Sequence, residues 1–365
     1  MGLTDGPLVT VVVAVRNGEA FLNATLISVR RQTYSNIEVI VVDDGSTDGT
    51  SQVARMHCAD DKRINLVQSE PVGAGAARNL GIKQASGEII ALLDGDDLMH
   101  PDLLSEHVKR FQNAQFPVDV VWSPGVVIDQ NDSIVAEVVT FDRSTISKVE
   151  GWVLLPMLYR YFPLSGGTSF RLSCIREEKG YKSDVMISED YEMMLRIAER
   201  RQIGVVNRHL LGYRRVPGSR SHRFRDSLQV DKAILRSLRT RNQWVPIWVW
   251  RWSLASRYLS VSSKAMQSRS QFYGISCAMV ATFLDPLVLL QPGSLRQGFQ
   301  YLFRDRKSGS RMNFNFPDEI ESFLDQTTNF KSLSYKTFEA ITRRRHRRMV
   351  KFEYEARLHL AHKRD

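Results

Sequence analysis

A three-layer α/β sandwich with a mainly parallel central sheet, extended by C-terminal helices, is the fold class this sequence predicts. Three observations predict it. Four β-branched or apolar runs, at residues 8–15, 37–42, 64–67 and 89–93, each precede a segment of helical spacing. The connections are short, as successive β-α-β units require. The run at 89–93, IIALL, lacks any polar alternation, the pattern of a strand buried on both faces.

Each element has its own local reason. LVTVVVAV at 8–15 is of strand type and leads through Arg16-Asn17-Gly18-Glu19 to a helix with apolar Phe21, Leu22, Leu26 and Val29. IEVIVV at 37–42 is the second strand and ends in Asp43-Asp44-Gly45-Ser46-Thr47-Asp48. Ser46, Asp48 and Gly49 suit a turn and the entry to a helix reaching about Met56. After the third strand, Gly73-Ala74-Gly75-Ala76-Ala77-Arg78-Asn79 opens a helix that ends near Gly87. Pro101 fits a first helical turn, and that helix reaches about Gln112. Further strands are expected at 118–122 and 125–129 and, past the Asn131-Asp132-Ser133 turn, up to Val139. Residues 164–170 form a glycine-bearing loop leading into a strand or short helix. Residues 187–198 read as a helix with acids in its first turn, 204–207 as a last strand and 213–219 as a polar loop.

The expected domain boundary falls at residue 221, and 222–365 forms a helical, basic C-terminal region. Residues 244–259 are aromatic-rich but interrupted by Arg251 and Arg257. Residues 272–290 are apolar for almost a membrane span, broken by Asp285-Pro286. A spanning helix is one reading; a buried or interfacial helix pair is preferred because of the interruptions. Residues 305–333 read as polar loops, and 335–362 as a basic amphipathic helix.

A hydrophobic fraction of 43% over 365 residues supplies a sizeable core and excludes a disordered chain. Cys58, Cys174 and Cys277, widely spaced and without a CxxC, exclude a disulfide framework and a structural zinc site. The run at 9–15 has no positive residue before it, so no signal peptide is expected and a cytoplasmic protein is. The net charge of +10 is concentrated late, as in RRRHRR at 343–348. Such a block is a solvated face or a docking site for anionic lipid at the inner membrane face. Nucleic acid is not the expected partner.

The chemistry gathers at the ends of the strands, where open α/β sheets bind ligands. Asp94, Asp96 and Asp97 repel one another, so a cation or strong donors must offset them. Hard oxygen ligands favour Mg²⁺ or Mn²⁺; the alternative is an acidic turn that only caps the next helix. With Arg16-Asn17, Asp43-Asp44 and Arg78-Asn79, these acids line a crevice suited to a nucleotide diphosphate held through a divalent ion. A dinucleotide fingerprint is excluded because RNGEAF follows the first strand, and no GxxxxGK[ST] occurs.

The stretches VVVAVRNGEAFLNATLISVRRQTY, IEVIVVDDGSTDGT, GAGAARNLGIKQASGEIIALLDGDDLMHPDLL and SEDYEMMLRIAER resemble the inverting glycosyltransferases of family 2, which have the GT-A fold. The resemblance covers about residues 8–220. VDDGSTD, ARNxGI and LDxDD are specific as an ordered set, though each is modest singly. The resemblance implies a catalytic domain at 1–221 that moves a sugar from a nucleotide-diphosphate donor, most often UDP-linked, to a glycan or lipid-linked acceptor with Mg²⁺ or Mn²⁺. It places donor contacts at Val15, Asn17, Asp43, Asp44, Arg78, Asp94, Gly95 and Asp96. Asp94 and Asp96 would hold the metal, and Asp190, beside Glu189, would be the general base.

Each role has a structural alternative. Asp43 could merely begin its turn, Arg78 could pair with Asp44 and brace the site, and Glu189 and Asp190 could only cap their helix. His222 is a third metal ligand or a surface residue. Two departures from the family pattern stand out. Ala14-Val15-Arg16-Asn17 replaces Pro-x-Tyr-Asn, leaving donor identity open, and Val216 stands where a histidine is common in the late loop. A nucleotidyltransferase would carry a basic glycine-rich loop after strand one, which is absent. A degenerate transferase scaffold, binding membrane or partners through its basic region, would have lost site carboxylates; all are present.

Overall fold

The computed structural model describes residues 6–113, 117–137, 150–159, 165–215, 224–266, 270–287 and 333–361. They fall into two compact units, one drawn from Met1–Gly151 and Pro163–Val216, the other from Trp152–Phe162, Pro217–Ser310 and Asp325–Asp365.

The first unit opens with β1 (Val9–Val15), α1 (Glu19–Arg30), β2 (Ile37–Asp44), α2 (Thr50–Asp60), β3 (Ile64–Ser69), α3 (Ala74–Gln84), β4 (Ile89–Asp94), β5 (Leu98–Met99) and α4 (Leu103–Gln112). β1 pairs in parallel with both β2 and β4, so its β-branched run is central and buried throughout. Alternation along β1 sorts the two faces. Val9, Val11, Val13 and Val15 share a core with Leu22 and Leu26 of α1 and Leu103 of α4. Val12 points the other way, to α3, where a Cβ on Gly81 would come 2.4 Å from its side chain. Helices on both faces make the three layers.

Next come β6 (Val120–Trp122), β7 (Gly125–Ile128) and β8 (Ile134–Glu137); α5 (Leu154–Tyr159) belongs to the second unit. The first unit resumes with β9 (Thr168–Arg171), α6 (Leu172–Glu177), α7 (Glu189–Ala198), β10 (Ile203–Val205) and β11 (Leu211–Arg214). The main sheet is ordered β10-β6-β9-β4-β1-β2-β3, and β5-β11-β7-β8 form a smaller one. β9 is the strand that runs antiparallel, between β4 and β6. Behind it His107 bridges Ser169 Oγ at 2.8 Å and Ser123 Oγ at 3.1 Å, and burial pushes its pKa down to about 3.

The elements depart from the sequence expectations where side chains compete with the backbone. Ser46 and Asp48 spend their side chains on turn hydrogen bonds as expected, and the helix starts at Thr50 but runs past Met56 to Asp60. The helix expected from 187 starts at Glu189, because Ser188 sits at φ 59°. The polar loop expected at 213–219 begins inside a strand, since Arg214 finds all its partners internally. Residues 138–149, 216–223 and 288–332, with the strand end at Val139, Val216, His222 and most of the expected polar loops, lie outside the described residues.

The second unit contains α5, α8 (Phe224–Arg241), α9 (Ile247–Met266), α10 (Gln271–Leu284) and α11 (Leu333–Ala361). Gly274, Cys277 and Ala281 are the buried residues of α10 and let it pack closely on α9; a Cβ on Gly274 would meet Met266 at 3.0 Å. No helix among the described residues is long and apolar enough to cross a membrane. The expected basic helix is present, but it is not simply solvated. Arg345 stacks on Trp252 at 4.0 Å and pairs with Asp285 at 2.5 Å. Glu353, fully buried, accepts hydrogen bonds from the Leu154 and Leu155 amides at the start of α5 and pairs with Arg357 at 2.8 Å. Burial raises the Glu353 pKa, which the positive charge of Arg357 opposes.

Candidate active site

The parallel register places the ends of three strands side by side. Val15 of β1 lies opposite Asp43 of β2, and Ala14 lies opposite Asp94 of β4. Gly95 follows the strand so closely that a Cβ would come 2.6 Å from the buried side chain of Val15. Its amide donates to Ala14 O at 3.0 Å, so only glycine allows this approach. Asn17, at φ 52°, accepts from the Thr47 amide at 2.9 Å and donates its own amide to Ser46 Oγ at 2.9 Å. That ties the loop after β1 to the loop after β2.

The β2 acids are fully occupied. Asp43 is 1% exposed and accepts from the Ser46 amide at 2.9 Å and from the Ser51 hydroxyl. Asp44, 2% exposed, accepts from the amides of Val72 at 2.6 Å and Gly73 at 3.0 Å, holding the loop that opens α3. Asp44 does not pair with Arg78.

Arg78 points instead to β4 and α7. Its Nη2 lies 2.5 Å from Asp94 Oδ1, and its Nη1 lies 3.5 Å from Glu189 and 3.6 Å from Asp190. The guanidinium is buried and passes 5.3 Å from the ring centre of Tyr181. α3 is shaped as a platform for this. A Cβ on Gly75 would press against Tyr181 at 3.2 Å, and Asn79 clamps the Tyr181 backbone with bonds of 2.9 Å and 2.7 Å. The GAGAARN stretch thus orders residues more than a hundred positions away.

The electrostatics of this cluster differ from those of β2. Burial and then the charge of Asp94 push the Asp96 carboxyl up to about 6. Burial and the Asp190 charge raise Glu189; burial raises Asp190 against the pull of Arg78 and the hydroxyls of Tyr181 and Ser165. About a third of the side-chain surface of Asp94 and of Asp190 is exposed. Ser188 in the left-handed region costs on the order of 1–3 kcal/mol and presents Glu189 and Asp190 in the first turn of α7. α7 is also tied to the 178–182 loop, since Arg196 holds Glu178 O and Gly180 O while Glu192 pairs with Arg196 and Lys182.

Asp97 is not a free ligand: it is buried, accepts from the Arg214 amide at 2.9 Å, and is raised by burial and by the charges of Asp96 and Asp94. Arg214 also donates to Asp96 O at 2.6 Å, to Asp129 O at 2.7 Å and to Asp132, and it stacks on Phe21. The sequence reading missed Arg214 and Tyr181. The signal for Arg214 was the apolar LLG before YR, which marks a strand rather than a loop.

The sequence model described as glycosyl transferase family 2 matches residues 10–156, and that described as glycosyl transferase family group 2 matches residues 89–292. The chain belongs to glycosyl transferase family 2.

EpsH of Bacillus subtilis is 41% identical over 105 residues, covering 29% of this chain and 30% of that protein. The glycosyltransferase GlyA of Streptococcus pneumoniae is 37% identical over 112 residues, covering 31% of this chain and 16% of that protein. The match thus spans less than a third of either relative. The crystal structure of S. aureus TarS 1–349 with UDP-GlcNAc superposes at a TM-score of 0.53 with 18% identity, covering 77% of this chain and 91% of that one. The family 2 chain therefore has the expected GT-A fold. Within it, Val15, Asn17, Asp43, Asp44 and Gly95 build and fasten the strand-end loops, while Arg78, Asp94, Glu189 and Asp190 meet in one cluster and Asp96 sits beside Asp94.

Two carboxylates at Asp94 and Asp96 fit a divalent cation. They are hard oxygen donors two residues apart, partly exposed, and burial followed by the charge of Asp94 raises the Asp96 pKa. Among the described residues no group of three or more His, Cys, Asp or Glu stands ready to hold a metal. Asp94 and Asp96 would supply two ligands, with diphosphate oxygens among the others, as is usual for Mg²⁺.

Proposed function

We propose that the chain is an inverting glycosyltransferase that takes a sugar from a nucleotide-diphosphate donor, a UDP-sugar first, to a hydroxyl of a glycan or lipid-linked acceptor. The observation that carries this reading is the convergence of Asp94, Glu189 and Asp190 on the buried guanidinium of Arg78, with Asp96 beside Asp94 at the carboxyl end of β4. Three carboxyl groups on Arg78, with Asp96 beside them under the weaker pull of Arg214 and Arg78, leave the cluster short of positive charge. Mg²⁺ or Mn²⁺ on Asp94 and Asp96 would offset that charge and the charge developing on the leaving diphosphate.

The residues of this chain divide the remaining work. Asp190 takes the proton of the acceptor hydroxyl as its oxygen bonds to the sugar's anomeric carbon and the bond to the diphosphate oxygen breaks. Its raised pKa makes it a better base than an ordinary aspartate. Arg78 holds Asp94 and Asp190 in fixed relation, and Glu189 keeps the pocket acidic on the acceptor side. Asn17, Asp43 and Asp44 keep the strand-end loops rigid, where base and ribose would lie.

Calorimetric titration with UDP-, GDP- and dTDP-sugars, each with and without Mn²⁺, tests the donor site. Metal-dependent binding of one nucleotide class, lost in Asp96→Ala, supports the reading. A folded protein that binds no donor overturns it and favours the degenerate scaffold.

A further inference from the structure

Helix α10 carries no charged residue, yet one whole side of it is open. Gly274, Cys277 and Ala281 face inward. On the opposite side Phe272, Ile275, Met279 and Phe283 follow at spacings of three and four, with Leu287 beyond the helix end. Phe272 is 90% exposed and Phe283 80%. Four turns of exposed, uncharged helix with an aromatic ring at each end are costly in water and mark a docking surface.

The surrounding charge selects the occupant. Asp285, one residue past α10, is held by Arg345 of α11, which brings the RRRHRR run to that end of the strip. Arg344, Arg347, Arg348 and Lys351 are all exposed, as are Arg251 and Lys264 of α9. Exposed acids among the described residues of this unit are Asp226 and Glu355. Two copies meeting through the strip would bring like charges together, whereas an anionic surface complements them. A helix of 14 residues is about 21 Å long, too short to cross a bilayer.

We propose that α10 lies in the interfacial layer of an anionic phospholipid bilayer, with Phe272 and Phe283 inserted and Arg344 and Arg347 meeting lipid phosphates. The sequence expectation put membrane docking on the basic helix and read 272–290 as part of a buried or interfacial helix pair; here the apolar strip of α10 supplies the insertion and α11 the charge. The proposal is independent of the donor site, and neither metal nor nucleotide enters its test.

The test is co-sedimentation of the full chain with sucrose-loaded vesicles of phosphatidylcholine, alone or with one-third phosphatidylglycerol. The wild type is expected to bind the mixed vesicles and to bind pure phosphatidylcholine much more weakly. Phe272→Ser/Phe283→Ser should lower the partition coefficient by about tenfold or more at any salt concentration. Arg344→Gln/Arg347→Gln should lower it severalfold in low salt and little in high salt. Met279→Ser, with a severalfold loss, serves if the double phenylalanine variant fails to fold. Equal binding by the wild type and the folded serine variants overturns the proposal, as does no binding of the wild type. A wild-type dimer in light scattering that Phe272→Ser/Phe283→Ser converts to monomer, without vesicle binding, assigns the strip to a second copy instead.

Discussion

The acids at the end of β2 and those at the end of β4 lie on neighbouring parts of one sheet and do opposite things. Asp43 and Asp44 are buried and saturated with backbone amide and hydroxyl donors, so their charge is spent on holding loops. Asp94, Glu189 and Asp190 share the buried Arg78, Asp96 lies beside them under the pull of Arg214 and Arg78, and three of the four carboxyls have raised pKa values. The first pair stabilises the fold. The second group is held in place at the fold's expense, which is the mark of groups kept for a ligand.

The largest expected effect falls on activity. Asp190→Asn should cut turnover by about 10²–10⁴-fold while donor affinity, read by calorimetry, changes little. The rate of the wild type should rise with pH through a carboxyl pKa above the ordinary range, because the base must be ionised and Asp190 is raised. Arg78→Met comes next. It leaves three carboxylates facing one another without their shared cation, so chemical denaturation should show a loss of about 3–5 kcal/mol. Asp44→Ala strands the Val72 and Gly73 amides and should cost about 1–3 kcal/mol. An Asp44 variant as stable as the wild type would break the contrast between the two acid groups.

Much of this contrast could be read from sequence, and the reasons are physical. β1, β2 and β4 form from largely apolar runs and β3 from the short Ile64–Ser69 stretch, and the parallel order brings their polar ends together with little further information. Asp94 and Asp96 could therefore be proposed from the strand ends, whereas Asp190 was reached through the family resemblance. Which acids would be saturated was not legible, because the Val72 amide and the Arg214 guanidinium reach the site across 28 and 118 residues, and the Tyr181 ring reaches Arg78 from a distant loop. Nor could sequence show that Arg78 turns to Asp94 and not to Asp44, since both lie within one side chain of a strand end. The antiparallel pairing of β9, expected only as a strand or short helix, and the strand at Leu211–Arg214 escaped the sequence for the same reason: each is short, and its pairing is long-range. In the C-terminal helix a run of arginines reads as a solvated face, yet Arg345 is buried on Trp252 because Asp285 waits there.

The smallest effect is the most direct measurement. Asp96 has a folded pKa of about 6, above its ordinary value, so in metal-free protein its ionised form destabilises the fold. The penalty is present above pH 6 and is relieved as the pH falls through 6 toward the ordinary value. In EDTA at pH 7.5, Asp96→Asn should be more stable than the wild type by about 2 kcal/mol, and the gain should disappear near pH 4. With Mn²⁺ and UDP the order should reverse, because the wild type gains the ligand's binding energy and the variant does not. Thermal unfolding of both proteins in both conditions decides the matter. A crossover is the predicted result; an Asp96→Asn protein that is less stable without metal, or that gains as much from Mn²⁺ and UDP as the wild type, would contradict a cation-held donor site at the end of β4.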